Sequence, residues 1–215
     1  MKLSSAARDV YSQIGQKDTK LGDLRKIAKV IKKDHELALE LWSTGEFMPR
    51  LFAILIMDKK LVTQEFIDQI DKNIQQHDFE ERNQLIDWLM ANQLTKDKRT
   101  ITYINSWEKN PSVMKRRIFW YYQARLRWMG NTSHSNTEDL LSQIERNLMG
   151  EKPEVQWAMN YTAGQIGKWQ EKYRARCISI GEETGLYKDE IVPRGCTPSY
   201  LPQFISIEVA KLSKQ

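Results

Sequence analysis

The chain has 215 residues, a formal net charge of +5 and an isoelectric point near 9.1. With 40% hydrophobic and 28% charged residues it has enough apolar side chains for a real core, which excludes global disorder. The longest apolar run, residues 51–57, is too short to span a bilayer, and Cys177 and Cys196 lack the spacing of a zinc site or a disulfide framework.

Ten Gly and six Pro are few for this length, so long helices are favoured over many short strands. Residues 1–15 carry no apolar stretch of the secretory type. Residues 21–33 place Leu24, Ile27, Ala28 and Ile31 on one stripe. Asp23 is a first-turn acid or N-cap, and Arg25, Lys26, Lys29, Lys32 and Lys33 lie off the stripe. Residues 35–44 form the next helix, which stops at Gly45. Residues 47–57 are nearly all apolar and predict a buried helix. Thr63 caps a helix over 63–75. Residues 79–93 carry Leu85, Ile86, Leu89 and Met90, and residues 95–109 give another helix, ended by Asn110–Pro111. An uninterrupted helix follows over 112–128, then a polar loop over 130–136 in which His134 reads as solvated. Thr137 caps a helix running to Met149, stopped by Gly150. Pro153 opens a helix to Gly167, and residues 171–184 form one that ends at Gly185. Residues 187–202, with Pro193, Gly195, Pro198 and Pro202, predict an irregular segment before a short helix over 204–212.

The chain is therefore all-α, read as one domain over 1–215. Helix pairs begin near residues 21, 47, 79, 112 and 153. That period of about 35–45 residues fits a HEAT-like repeat α-solenoid with a basic concave face, and a plain helical bundle is the alternative.

The positive charge is uneven. Residues 1–110 hold 18 Lys and Arg against 17 acids, and residues 111–215 hold 15 against 11. Residues 112–128 carry Lys115, Arg116, Arg117, Arg125 and Arg127 with no acid, interleaved with Phe119, Trp120, Tyr121, Tyr122 and Trp128. At 100° per residue, Arg116, Trp120 and Arg127 fall within about 40° of one another. Cations beside a flat ring suit a phosphate backbone and an adjacent base. In that reading Phe119 and Tyr122 turn toward the core and Trp120 toward the groove; the competing reading is a core helix whose aromatics pack inward while its arginines are solvated.

Walker, GxGxxG, HExxH and GxSxG signatures are absent, and His35, His77 and His134 are scattered, so no cofactor and no metal are expected. One acid is a candidate for chemistry. Asp87 lies one turn after Asn83, between Ile86 and Trp88. It reads as a partly buried carboxylate paired with a cation such as Arg116, or as a surface acid or structural ion pair.

The strings LGDLRKIAKVIK, ELALELW, PRLFAILIMD, VMKRRIFWYYQ and PEVQWAMNYTAGQIG, in that order over residues 20–170, resemble the DNA alkylation repair proteins of the AlkD type. The resemblance implies a HEAT-like repeat fold that holds duplex DNA. It also implies excision of N3- or N7-alkylated purines without flipping the base into a pocket. A carboxylate stabilises the oxocarbenium character of the sugar and orients water, and aromatic faces add cation–π attraction. Asp87 falls on the family's catalytic aspartate and Arg116 on its cleft arginine. Asn83 and Tyr161 stand where the family has its two tryptophans. With Trp120, Lys115, Arg117 and Arg127, these complete the candidate DNA-binding set.

Three readings follow. The first is a DNA repair protein that excises alkylated purines. The second is a non-catalytic module for bent or branched DNA, and the third is a protein-interaction scaffold. The expected partner is double-stranded DNA, with no membrane, and the expected protein is a cytoplasmic monomer. Residues 193–205 read as an aromatic-anchored strap over the last helices, or as an extension of the cleft.

Overall fold

Short polar residues ahead of apolar stripes set the helix starts. The computed structural model describes residues 3–15, 18–128, 130 and 135–213, with twelve α-helices and no strand among them. In order they are α1 Ser5–Ile14, α2 Leu21–Ile31, α3 His35–Trp42, α4 Phe47–Ile56, α5 Gln64–Ile74, α6 Phe79–Asn92, α7 Lys98–Asn105, α8 Val113–Arg127, α9 Thr137–Asn147, α10 Pro153–Trp169, α11 Glu171–Thr184 and α12 Leu201–Leu212. Thr63 caps α5, its Oγ1 accepting from the Phe66 N–H at 3.2 Å, and Ser112 caps α8 by accepting from the Lys115 N–H at 3.2 Å.

Several boundaries differ from expectation. α1 is not among the predicted helices, because only Ala7, Val10 and Ile14 mark its buried stripe. Thr137 does not cap α9. It is the first helical residue and is buried, and its hydroxyl accepts from Arg127 at 3.2 Å. α12 starts at Leu201, three residues early, because Pro202 is tolerated in a first turn where no N–H is needed. The predicted loop falls largely on 131–134, outside the described residues, as does the reading of His134.

The sequence reading treats 1–215 as one domain; the helices group into two compact units, Met1–Ser106 and Trp107–Gln215. In the first, α4 is the core helix, packed by α2, α3 and α6. Leu51, Phe52, Ala53, Ile54 and Ile56 are all fully buried, and each large side chain contributes about 1.5–3 kcal/mol. α6 and the residue that follows it are tied to α4 by side chains that bond its main chain. Trp88 Nε1 donates to the Leu51 carbonyl at 3.0 Å, and Gln93 Nε2 donates to that of Ile54 at 2.6 Å. The buried Arg50 fixes a tautomer. Its Nη1 lies 2.7 Å from His77 Nε2 and can only donate, so Nε2 accepts and the His77 Nδ1–H donates to Glu81 at 2.7 Å.

In the second unit α10 is the hub, covered by α8, α11 and α12. Thr162 Oγ1 donates to the Trp120 carbonyl at 2.7 Å, joining α10 to α8. On the other side, missing side chains permit the approach of α12. A Cβ on Gly164 would meet Phe204 Cε1 at 2.8 Å, and one on Gly181 of α11 would meet Pro202 Cδ at 2.5 Å and Leu201 Cβ at 2.7 Å. Residues 185–200 are irregular, as expected, and end against α12. Thr197 Oγ1 and Glu208 Oε1 are 3.0 Å apart, and Lys168 Nζ reaches Glu208 Oε2 at 2.8 Å. Both cysteines are free. Cys177 is buried, which pushes its thiol up to about 12, and Cys196 is exposed.

Gly181→Ala gains helix propensity of up to about 1 kcal/mol but drives a methyl into Pro202 and Leu201, an overpacking cost of about 1–3 kcal/mol or more. Thermal melting is expected to show a lower midpoint. A raised midpoint would show that α12 can move aside at no cost.

Burial pushes the Glu208 carboxyl up, but bonds with Lys168, Lys211 and Thr197 outweigh it and hold the pKa at about 2, below the ordinary 4.5. Its contribution is full above pH 4.5 and is lost as pH falls through about 2. Glu208→Gln is therefore expected to be less stable than wild type at neutral pH. The gap should close across that acid window in denaturant unfolding, and a gap independent of pH would refute the pairing.

Candidate nucleic-acid interface

In the first unit, an open groove of about 630 Å³ is lined by seven cationic side chains against one carboxylate. α2 supplies Arg25 and Lys29, and the residues just after it supply Lys32 and Lys33. The turn after α4 supplies Lys59 and Lys60, and the turn after α6 supplies Lys96. The carboxylate, Asp58, pairs with Lys33 at 3.0 Å. The Arg25 guanidinium sits 4.3 Å above the Trp88 ring, so a cation and an indole stand together beside the groove. The sequence reading had placed these α2 lysines merely off the apolar stripe. Their signal was present in the spacing of Arg25, Lys29 and Lys32 on one helix face, but Lys59, Lys60 and Lys96 join them only through the fold. Asp87 and Asn83 belong to the same unit, both half-buried on α6, and the amide oxygen of Asn83 is buried without a hydrogen-bond partner.

The second unit places the α8 residues differently from expectation. Trp120 and Arg127, expected to face an open groove beside Arg116, are 2% and 0% exposed. Trp120 packs edge-on against Phe119. Arg127 donates to the Gln123 carbonyl at 2.9 Å and to Asn136 at 2.8 Å, and burial lowers its pKa to about 10. Lys115 and Arg117 are buried as well. Lys115 lies over the Trp107 ring, and Arg117 lies over Trp157 while donating to the Glu154 carbonyl at 2.8 Å. α8 is enclosed on most faces, so these cations find carbonyls and rings instead of solvent.

Arg116 is half-buried and heavily bonded. Its Nε and Nη2 grip Glu151 at 2.8 and 2.9 Å, and its Nη1 donates to the carbonyls of Asn110 at 2.7 Å and Pro111 at 3.0 Å. The pair lies on a cavity of about 560 Å³ whose wall also holds Lys109, Arg146, Gln143 and an edge of Trp120.

Tyr161 stands in an aromatic cluster. It stacks on Trp157 at 5.2 Å with 10° between planes, and meets Tyr121, Trp128 and Phe204 edge-on at 5.8, 6.4 and 5.9 Å. Arg125 lies over both Tyr121 and Trp128. Burial pushes the Tyr161 phenol up to about 12, so it presents a neutral ring. Trp157, Trp128 and Arg125 were not among the predicted site residues. Trp157 and Tyr161 lie one turn apart on α10, and Tyr121, Arg125 and Trp128 one turn apart along α8 and its C-cap, but only packing brings the two sets together with Phe204 of α12.

The family description "DNA alkylation repair enzyme" matches residues 18–179. The chain belongs to that family. A solved structure from a family described as related to the HEAT-like repeat DNA glycosylases, with affinity for branched DNA structures, superposes with a TM-score of 0.63. The two are 19% identical, and the match covers 98% of this chain and 89% of the other. No curated protein sequence matches. This DNA alkylation repair family member thus has the HEAT-like repeat fold expected from its helix spacing, and residues 180–215, which hold the strap and α12, extend beyond the family match.

Arg116→Lys would break the two-point grip on Glu151, since an ammonium cannot match a carboxylate fork. A loss of about 1–3 kcal/mol is expected from denaturant midpoints. An unchanged midpoint would mean that the pair is not structural.

Proposed function

We propose that the protein binds duplex DNA, including bent or branched duplexes, through the phosphate backbone, with the groove between α2 and the ends of α4 and α6 as its principal contact. The observation that carries this reading is the ratio of seven cations to one carboxylate on that groove. A duplex carries about one negative charge per 1.7 Å of axis, and each neutralised phosphate releases counterions. Lys29, Lys32, Lys60 and Lys96 are exposed and can meet phosphates without losing a buried bond. Family membership and the likeness to proteins with affinity for branched DNA support it. Binding in this form needs no chemistry at Asp87.

The expected measurement is a logarithmic affinity that falls linearly with the logarithm of salt concentration, with a slope of about −0.9 per phosphate contacted. Lys29→Glu with Lys32→Glu should weaken binding to every sequence and reduce the slope by about 2. An unaltered slope would remove the groove from the interface.

A second reading, excision of N3- or N7-alkylated purines, is favoured by Asp87, which the family resemblance places at the catalytic aspartate. The half-buried carboxylate would stabilise a developing sugar cation and orient water. Asn83 offers no aromatic face for the cationic purine, so any rate enhancement would rest mainly on Asp87. Release of 7-methylguanine from methylated duplex above the level of Asp87→Asn supports excision, and equal release by the two proteins rejects it.

A further inference from the structure

We propose that Lys32 is held against the preference of its own backbone to place an ammonium on a DNA phosphate, so that the chain gives up fold stability for this one contact. The role rests on the DNA binding proposed for the lysine groove and names the residue that anchors it.

Lys32 follows α2 as its C-cap, with φ 65° and ψ −129°. These angles are close to those of the first central residue of a type II′ turn, where glycine dominates because it has no Cβ to crowd the backbone. Among the described residues, the other positive φ values fall on Gly45, Gly130, Gly185 and Gly195, and on Tyr187. Tyr187 is half-buried, so packing of its ring can hold it. Lys32 is exposed, and among the described residues its ammonium has no hydrogen-bond or ion-pair partner.

The fold does not need a lysine here. The Lys32 N–H ends the helix by donating to the Ala28 carbonyl at 2.7 Å, a bond that glycine would make as well. A cation near a helix C-terminus gains from the helix dipole, but Lys29 already stands in the last turn and Lys33 directly follows. The other two residues that link α2 to α3 have bonded side chains. Lys33 pairs with Asp58 at 3.0 Å, and Asp34 caps α3 by accepting from the Leu37 N–H at 3.0 Å. Backbone strain of this kind clusters at ligand clamps, where a side chain has a task outside the fold. Place and charge set that task for Lys32, which lines the groove with six other cations. A phosphodiester suits it, because the exposed ammonium gives up no bond within the described protein to meet one.

Lys32→Gly separates the two effects. Thermal melting is expected to show a midpoint raised by about 2–4 °C. Affinity for a duplex is expected to fall roughly tenfold at about 50 mM salt, and the salt slope to lose about 0.9. Lys32→Gln keeps the strained backbone and removes the charge, so it should lose the same affinity with no rise in midpoint. Lys29→Glu with Lys60→Glu tests the groove without touching Lys32. If that pair reduces the slope while Lys32→Gly leaves affinity unchanged, the anchoring role is overturned and the groove stands. If neither reduces it, the groove is not the interface and the role of Lys32 falls with it. A Lys32→Gly midpoint at or below that of wild type also overturns the proposal, whatever the affinity.

Discussion

Close approach to α10 is the constraint on which the second unit depends. Gly164 on that helix and Gly181 on α11 leave room for Phe204 and for Leu201–Pro202, so α12 lies closer than side chains would permit. On the opposite side, Thr162 bonds a carbonyl of α8. The stack of Trp157 and Tyr161 and a small cavity beside it follow from this geometry, since their walls come from α10 on one side and from the strap and α12 on the other.

Charge is handled in two opposite ways. On α8, Lys115, Arg117 and Arg127 are buried and spend their donors or their charge on carbonyls and rings. Arg116 is held by a carboxylate fork. These cations brace the second unit. On α2, whose residues off the apolar stripe look ordinary, the cations are exposed and gather with those of two turns. A phosphate backbone would meet the second group at far lower desolvation cost than the first. The density of cations along a sequence is therefore a poor guide to which of them stay exposed.

Much of the fold was legible. Thr63 and Ser112 cap the helices they were expected to open, and Gly185 ends α11 in a left-handed conformation at φ 61°. These are local effects, decided within a turn of chain. α1 was missed because a three-residue stripe is too short a signal. The exposure of α8 side chains was read less well. Trp120 and Arg127 do share a helix face with Arg116, as 100° per residue requires, but a face points to solvent or to core according to what packs on it. Here the face is covered, and only Arg116 remains half-exposed.

The sequence alone determined an all-α chain of paired amphipathic helices, the irregular proline-bearing segment before α12, and a family resemblance that the match over residues 18–179 bears out. Each of these depends on neighbours one turn apart or on an ordered series of such turns. Only the tertiary structure decided which cations are buried, which gather on a groove, and how the rings of α8, α10 and α12 come together. Those outcomes depend on side chains about 40 residues apart, such as Asn160 and Ser199 or Gln93 and Ile54. Their meeting is set by helix packing, and no local periodicity encodes it.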